Sequence, residues 1–405
     1  MFDLKALRTS RESNTLEAKL ATGGFPKSLW ETYSSFANTD GGVILLGVEE
    51  LDDKSLRPVG LPNPEDIVEE FWETVNDREK VSANIMRPEQ VRIELMEGHP
   101  IVVIEVPRAD RHQKPIYLNG NMFQESYRRD ADGDYRCSEN QVRDMLLDQS
   151  DEGMDSETMK EFTFQDFCQD TVKLYREDFA RARKNLAWNQ MQDEDFMVRI
   201  GALQQESFDS VLRPTMAGLL MFGREDRISR KFPEYFLDYC ERAERSGPYT
   251  FRLVSNSEEW SGNVYDFYRE ASERLVRQPD GNYLEPAGVR EALREALLNA
   301  VIHANYFGSH GVVVERTPET ITIANPGSLR VGLRNAMDGG SSDPRNTRLF
   351  KLFSLIKQGK GMGRGIANIR HVWAEQGWEA PLLSENYNPD RTVLRLKMRP
   401  ARSDS

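Results

Sequence analysis

"EALREALLNAVIHANYFG", residues 291–308, decides how the C-terminal part of this chain is read. Alanine and leucine dominate, and Ala292, Leu293, Leu297, Leu298 and Val301 recur at helical spacing with no proline among them. The stretch therefore predicts a helix that buries most of its surface. Glu295, Asn299 and His303 stand within it at four-residue steps, which stacks three polar side chains on one face. Such a stripe is either the solvated face of an amphipathic helix or a ligand row, in which an amide oxygen ligates a hard divalent cation and a carboxylate polarises water. The spacing alone does not choose between them.

Working outward, the long helix (287–305) is followed by a hairpin, "GVVVERT" and "TITIANPG", and a helix near "RNTRLFKLFSLIKQ". A glycine-rich loop, a further helix at "IANIRHVW" and a last strand "TVLRLKM" complete the region. Residues 286–405 thus read as an α/β sandwich, with helices on one face of a mainly antiparallel sheet. The loop "GKGMGRG" sets Gly359, Gly361, Gly363 and Gly365 around Lys360 and Arg364 just before a helix. Bare amides at a helix start bind anions, and glycine lets the backbone come close to phosphate. A plain flexible connection has the same composition, so the loop gains its meaning from the polar ladder beside it.

These residues resemble the GHKL ATP-binding fold of gyrase, the heat-shock chaperone, histidine kinases and mismatch-repair proteins, in its RecG-like branch. Glu295, Asn299 and His303 match the N-box, "NPGSL" (325–329) the adenine-binding glycine box, "GKGMGRG" the lid, and "SSDPRNTRLF" a signature of that branch. The resemblance implies ATP and Mg²⁺ as cofactors, with Asn299 ligating magnesium and Glu295 as general base. His303, Asn325, Gly327, Gly359, Gly361, Gly363 and Gly365 would bind the nucleotide. The wider family has an aspartate where this chain has Asn325, whose amide oxygen accepts a hydrogen bond without a carboxylate's charge.

Residues 1–150 read as a mixed α/β domain. "TLEAKLA" begins a strand, "PKSLWETYSSFANT" has helical spacing, "GGVILLGVEE" is a β-run, "QVRIELMEG" and "HPIVVIEVP" pair across a short turn, and "SENQVRDMLLDQ" closes with a helix. If "RESNTLEAKL" and "FANTDGGVILLGVEE" share a sheet, Glu12, Glu17 and Glu49 meet Lys19 at its edge. Three carboxylates and a lysine can hold Mg²⁺ or Mn²⁺ against a phosphodiester, although most acids of so acidic a chain lie on its surface. The pattern E-x-K, "FANTDGG", "LLGVEE" and "YRRD" resembles the AlbA-type domain that bacterial regulators share with Schlafen proteins, over roughly residues 8–145. That resemblance implies a ribonuclease core acting on transfer RNA, with Glu12, Glu17 and Glu49 as metal ligands and Lys19 beside them. Glu49 is one methylene longer than the usual aspartate.

Lys5, Arg8, Arg11, Lys19, Lys27, Arg108, Arg111, His112, Lys114, Arg128 and Arg129 are candidates for a phosphate track, with Tyr117, Phe123 and Tyr127 for base stacking. Asp110, Asp130, Asp132 and Asp134 interrupt that run, and the same residues also make an ordinary mixed surface. Between the ends, "SDEGMDSETM" (150–159) reads as a linker, and 151–285 as a connecting mixed α/β region that carries no chemistry.

The whole chain has 53 basic and 66 acidic residues, a formal charge of −13. Nucleic-acid binding must therefore come from a local patch. No run of apolar residues is long enough to span a membrane, and three scattered cysteines make neither a disulfide nor a zinc framework. The cytoplasm is the expected compartment, and none of the five histidines joins a nucleophile motif. The expected protein is a homo-oligomeric, ATP-controlled effector that grips and cuts RNA or single-stranded DNA, in a setting such as phage defence. Its rivals are an ATP-responsive DNA-binding transcriptional regulator without catalysis, and an ATPase with a protein-binding first domain. The end at "RPARSDS", with no room for a winged helix, favours the effector over the regulator.

Overall fold

The computed structural model of the chain describes residues 14–399 apart from 54, 131–132, 152, 206–210, 245, 279–280, 341 and 360–364. It has mixed α+β architecture in two compact units, Met1–Ser150 and Asp151–Ser405.

The first unit runs β1 (Leu16–Lys19), α1 (Leu29–Asn38), β2 (Gly42–Leu46), β3 (Val48–Glu50), β4 (Leu56–Pro58), α2 (Pro64–Asn76), β5 (Val91–Met96), β6 (His99–Val106), β7 (Tyr127–Asp130), β8 (Gly133–Arg136) and α3 (Glu139–Asp148). Its main sheet has the order β1-β2-β6-β5, with β1 parallel to β2 and the remaining pairs antiparallel. The unbroken apolar runs of β2 and β6 have a simple cause. Ile44, Leu46, Val102 and Ile104 face α1 and α2, while Val43, Leu45, Ile101 and Val103 are buried on the other side, and a strand covered on both faces loses its alternation. Helix α1 is buried nearly all round, so its polar residues are bonded internally. Asn38 takes the amide of Ile116 and donates to the carbonyls of Ile116 and Tyr127.

The second unit runs α4 (Gln169–Ala182), α5 (Asp193–Ile200), β9 (Leu203–Gln205), β10 (Leu212–Pro214), α6 (Met216–Phe222), α7 (Glu225–Lys231), β11 (Leu237–Arg242), β12 (Tyr249–Val254), α8 (Val264–Leu275), α9 (Ala287–His303), β13 (Val312–Arg316), β14 (Thr320–Pro326), α10 (Leu333–Asp338), α11 (Thr347–Leu355), α12 (Gly365–Glu375), β15 (Leu382–Tyr387) and β16 (Asp390–Lys397). Six strands form one sheet in the order β12-β11-β13-β14-β16-β15. Val312, Val314, Ile321, Ile323, Leu394 and Leu396 alternate along their strands and join one core with α8, α9, α11 and α12. The hairpin expected at 311–327 is β13 and β14, paired antiparallel.

The segment 151–285 does more than connect. Strand β11 pairs in parallel with β13, extending the sheet, and α4, α6 and α8 lie in the same hydrophobic core as α9. The acidic stretch read as a linker also has a fixed role, because buried Asp155 caps α11. Its carboxylate accepts the amide hydrogens of Arg348 at 3.2 Å and Leu349 at 2.7 Å, which have no partners within the helix.

Burial is the largest influence on Asp155 and pushes its carboxyl up to about 6, against the pull of those two amides. Asp155→Ala should lower the stability of the unit by about 1–3 kcal/mol, measured by urea denaturation. Because the folded carboxyl holds its proton more tightly than the unfolded one, its titration contributes fully below about pH 4. That contribution is lost as the pH rises through about 6. Asp155→Asn removes the titration, so the wild-type urea midpoint should fall relative to this variant over that interval.

Candidate nucleotide site and nucleic-acid domain

Helix α9 is packed on nearly every side, with Ala292, Leu293, Ala296, Leu297, Ala300 and Val301 buried. Its polar stripe is therefore no solvated face. Glu295, Asn299 and His303 are half-buried and line a cavity of about 1040 Å³, counting the solvent at its mouth. Ile323 and Asn325 of β14, Leu383 of β15, and Thr392 and Leu394 of β16 line it from the sheet. Ser328 to Val331, Ser342, Asp343, Phe350, Gly359, Gly365 and Ile366 complete the lining.

Gly365 opens α12 hard against the ladder. A Cβ there would fall 2.5 Å from Asn299 Nδ2 and 3.3 Å from Glu295 Oε1, so any other residue would have to push the Asn299 amide aside. Among the described residues the Asn299 side chain has no hydrogen-bond partner. The Glu295 carboxylate accepts from Asn368 Nδ2 at 3.2 Å. Burial raises the Glu295 carboxyl above the ordinary range, the Asn368 bond partly lowers it, and Glu291 raises it further. A carboxylate in that position is a better proton acceptor than an exposed one. Burial, then the Arg345 and Arg330 guanidinium groups, push His303 down to about 4 against the pull of Asp343. It is neutral at pH 7, with one ring nitrogen able to donate and the other to accept.

Asn325 is buried on β14, and its Nδ2 donates to the adjacent Pro326 carbonyl at 3.2 Å. Gly327 takes a positive φ of 91°, and a Cβ there would lie 2.8 Å from Arg345 Nη1. Arg345 is itself buried, and its guanidinium donates to the carbonyls of His303 at 2.6 Å and Ser328 at 3.0 Å. The motif "SSDPRNTRLF" thus joins the end of α9 to the glycine turn. Gly361 and Gly363, with Lys360 and Arg364, lie outside the described residues.

Several lining or supporting residues escaped the sequence reading. Thr392 shares a face of β16 with buried Leu394 and Leu396 and bonds the Gly327 carbonyl at 2.9 Å; a polar residue at a core position of an alternating strand was the available signal. Asn368, one turn into α12, had the glycine loop as its signal. Asp343 lies within the quoted "SSDPRNTRLF" without having been singled out, and Arg330 had no signal of comparable strength.

The acids of the first unit are arranged differently from the expected metal cluster. Strands β1 and β2 do pair, with Glu17 opposite Ile44. Glu17 is held by Lys19 Nζ at 2.8 Å and Arg129 Nη2 at 2.8 Å. The same buried guanidinium bonds Asp134 at 3.1 Å, whose other oxygen accepts from Thr32 at 2.7 Å. Glu49 lies on the separate β3-β4 hairpin and pairs with Arg57. Glu12 lies outside the described residues. Among the described residues, no three His, Cys, Asp or Glu side chains gather to hold a metal ion.

The expected phosphate track also needs correction. Lys114, Arg128 and Arg129 are buried. Lys114 donates to the Asn38 carbonyl, Arg111 to the carbonyls of Asp148 and Ser150, and Arg108 pairs with Asp40. Lys114, Arg111 and Arg108 thus serve the fold, because carbonyls at helix ends inside the unit need donors and a carboxylate there needs a cation. His112 pairs with Asp110, while Lys27 is exposed. Lys5, Arg8, Arg11 and Asp132 lie outside the described residues. Of the aromatics, Tyr127 is core, Tyr117 is half-buried and Phe123 is exposed. No described helix is long and apolar enough to cross a membrane.

Residues 12–138 match the family model described as "Schlafen, AlbA_2". Residues 309–394 match the one described as "Putative ATP-dependent DNA helicase recG C-terminal". Residues 143–238 match a domain of unknown function, DUF8451. A comparison with curated proteins gave no match. Among solved structures, the DIP2311 protein of Corynebacterium diphtheriae is 17% identical, over 98% of this chain and 80% of that one, with a TM-score of 0.48. The N-terminal domain of a RecG-related protein from Nitrosomonas europaea is 30% identical over 33% of this chain and 90% of that one, with a TM-score of 0.25. The chain is thus a fusion of a Schlafen AlbA_2 domain with an HATPase domain of the recG C-terminal type.

Proposed function

We propose that this protein binds nucleic acid through its AlbA_2 domain and that Mg·ATP in the second unit controls that binding. The observation that carries the reading is the contact of Gly365 with both Glu295 and Asn299. Together they leave a hard-oxygen pair and a bare backbone at one end of the cavity. Asn299 Oδ1 would hold the magnesium, which when bound offsets the charge of the triphosphate. Glu295 would take a proton from an attacking water, favoured by its burial, and Asn368 holds that carboxylate in place. Neutral His303 and the amide of Asn325 would orient the ligand by hydrogen bonds. ATP changes nucleic-acid affinity only as far as it binds one arrangement of the protein better than another.

Within the first unit, the salt-bridge network favours holding a strand over cutting it. Arg129 lies between Glu17 and Asp134, and Lys19 meets Glu17 as well. Two cations there already supply the charge that a metal would bring to these carboxylates. The endonuclease implied by the Schlafen resemblance, with its setting in phage defence, is therefore the second reading, and Glu17 is the residue on which it turns. A homo-oligomer remains part of the proposal, through the GHKL resemblance, and light scattering with and without ATP tests it.

Calorimetry at fixed Mg²⁺ should show ATP binding to the wild type. Asn299→Ala and Gly365→Ala should each weaken it on the order of 100-fold; unchanged affinity in both would refute the site. Mobility shifts with RNA, single-stranded DNA and duplex DNA should show a complex whose affinity depends on Mg·ATP. In Asn299→Ala the complex should persist and the dependence vanish. With Mg²⁺ or Mn²⁺, wild type and Glu17→Gln should leave transfer RNA and single-stranded DNA equally intact. Products made by the wild type and lost in Glu17→Gln would restore the nuclease.

A further inference from the structure

We propose that Arg330 is the phosphate-recognising cation of the cavity, and that Asp343 holds it until a nucleotide phosphate takes the carboxylate's place. The inference rests on the nucleotide reading above and goes beyond it, to how the site tells a nucleotide from a nucleoside. Among the described lining residues, the side chains that carry charge at neutral pH are Glu295, Asp343 and Arg330. Two are acids, so a polyanion entering this cavity meets repulsion from all of them except Arg330.

The backbone that carries Arg330 is fixed at four points. Gly327 N donates to the Asp390 carbonyl at 3.0 Å, Thr392 Oγ1 to the Gly327 carbonyl at 2.9 Å, Arg345 Nη2 to the Ser328 carbonyl at 3.0 Å, and Leu329 N to Glu385 Oε1 at 2.6 Å. The backbone leading to it is held in this way, and the Arg330 side chain is itself only 3% exposed at the cavity wall. Preorganised donors bind an arriving charge with little loss of freedom.

Its carboxylate partner is more exposed than the arginine. Arg330 Nη1 lies 3.4 Å from Asp343 Oδ1 and 3.2 Å from the Pro344 carbonyl. The first distance is long for a charge-assisted hydrogen bond, which closes to about 2.7–2.9 Å when well made. The Asp343 side chain is 29% exposed, so the carboxylate has a route to water that the arginine lacks. A phosphate oxygen offers the guanidinium a second anion of better geometry, and Asp343 can then hydrate.

The test is calorimetry of the full chain at fixed Mg²⁺ with ATP, ADP, AMP and adenosine, with thermal melting as a control for folding. Arg330→Ala should weaken ATP about 10- to 100-fold, the range for a lost hydrogen bond to a charged group, and change adenosine by less than about twofold. Arg330→Lys should recover part of the loss, since lysine keeps the charge and loses the fork. Asp343→Asn should tighten ATP several-fold by removing a competitor and a repulsive charge. Should Arg330→Ala melt before it can be titrated, Arg330→Lys and Asp343→Asn decide the matter. Equal losses for ATP and adenosine, an unchanged ATP affinity in Arg330→Ala, or weaker ATP binding by Asp343→Asn would each overturn the inference. A wild type that binds none of the four ligands would instead overturn the nucleotide site itself, and this inference with it.

Discussion

A helix that ends inside a core leaves its last carbonyls without partners from its own turns, and α9 ends in such a place. Its C-terminal carbonyls are met from outside. Tyr306 donates to Val301, Arg345 to His303, and Asn346 to Ile302 and Ala304. A buried guanidinium at a helix C-terminus is also electrostatically favourable. This single junction fixes where the polar ladder ends, holds the glycine turn through Ser328, and starts α11 immediately afterwards. The cavity exists because these three elements cannot move independently.

Much of the fold was legible because periodicity survives wherever one face is buried. The alternation in β13, β14 and β16 follows directly from burial, while α1 and α9, buried on nearly every side, were legible from their length and their helix-forming residues. Strand β15 was missed since its sequence, "LLSENY", is mostly polar and it lies at the sheet edge. The place of β11 and β12 was illegible for a different reason. A parallel pairing between β11 and β13 spans two intervening helices, and no local pattern announces a partner that far along the chain.

Site residues divide along similar lines. That Glu295, Asn299, His303 and Gly365 line one cavity was legible because helix geometry and glycine's missing side chain leave marks in the sequence. The basic residues of the first unit could not be sorted that way. Arg128 and Arg129 read as surface cations and are core residues, since a guanidinium enters a core when carboxylates and carbonyls meet it there. Whether a charge faces water or a buried partner depends on residues far away in sequence, as with Arg129 and Glu17.

The same junction also binds the segment that follows the first unit. Met154 N donates to the Arg345 carbonyl at 3.2 Å, and Asp155 caps α11 two residues beyond Asn346. Gly153 lies so close to Thr347 that a side chain there would overlap its hydroxyl. The polypeptide therefore enters the second unit through residues that belong to the frame of the cavity beside α9. A flexible tether would let the two ends of the chain ignore one another. Residues 153–156 are fastened instead: Met154 N bonds the backbone carbonyl of Arg345, the residue whose guanidinium bonds the end of α9. Buried hydrogen bonds switch between discrete arrangements because half-made ones are costly, so the control proposed above would have to shift the bonds of this junction together rather than one at a time.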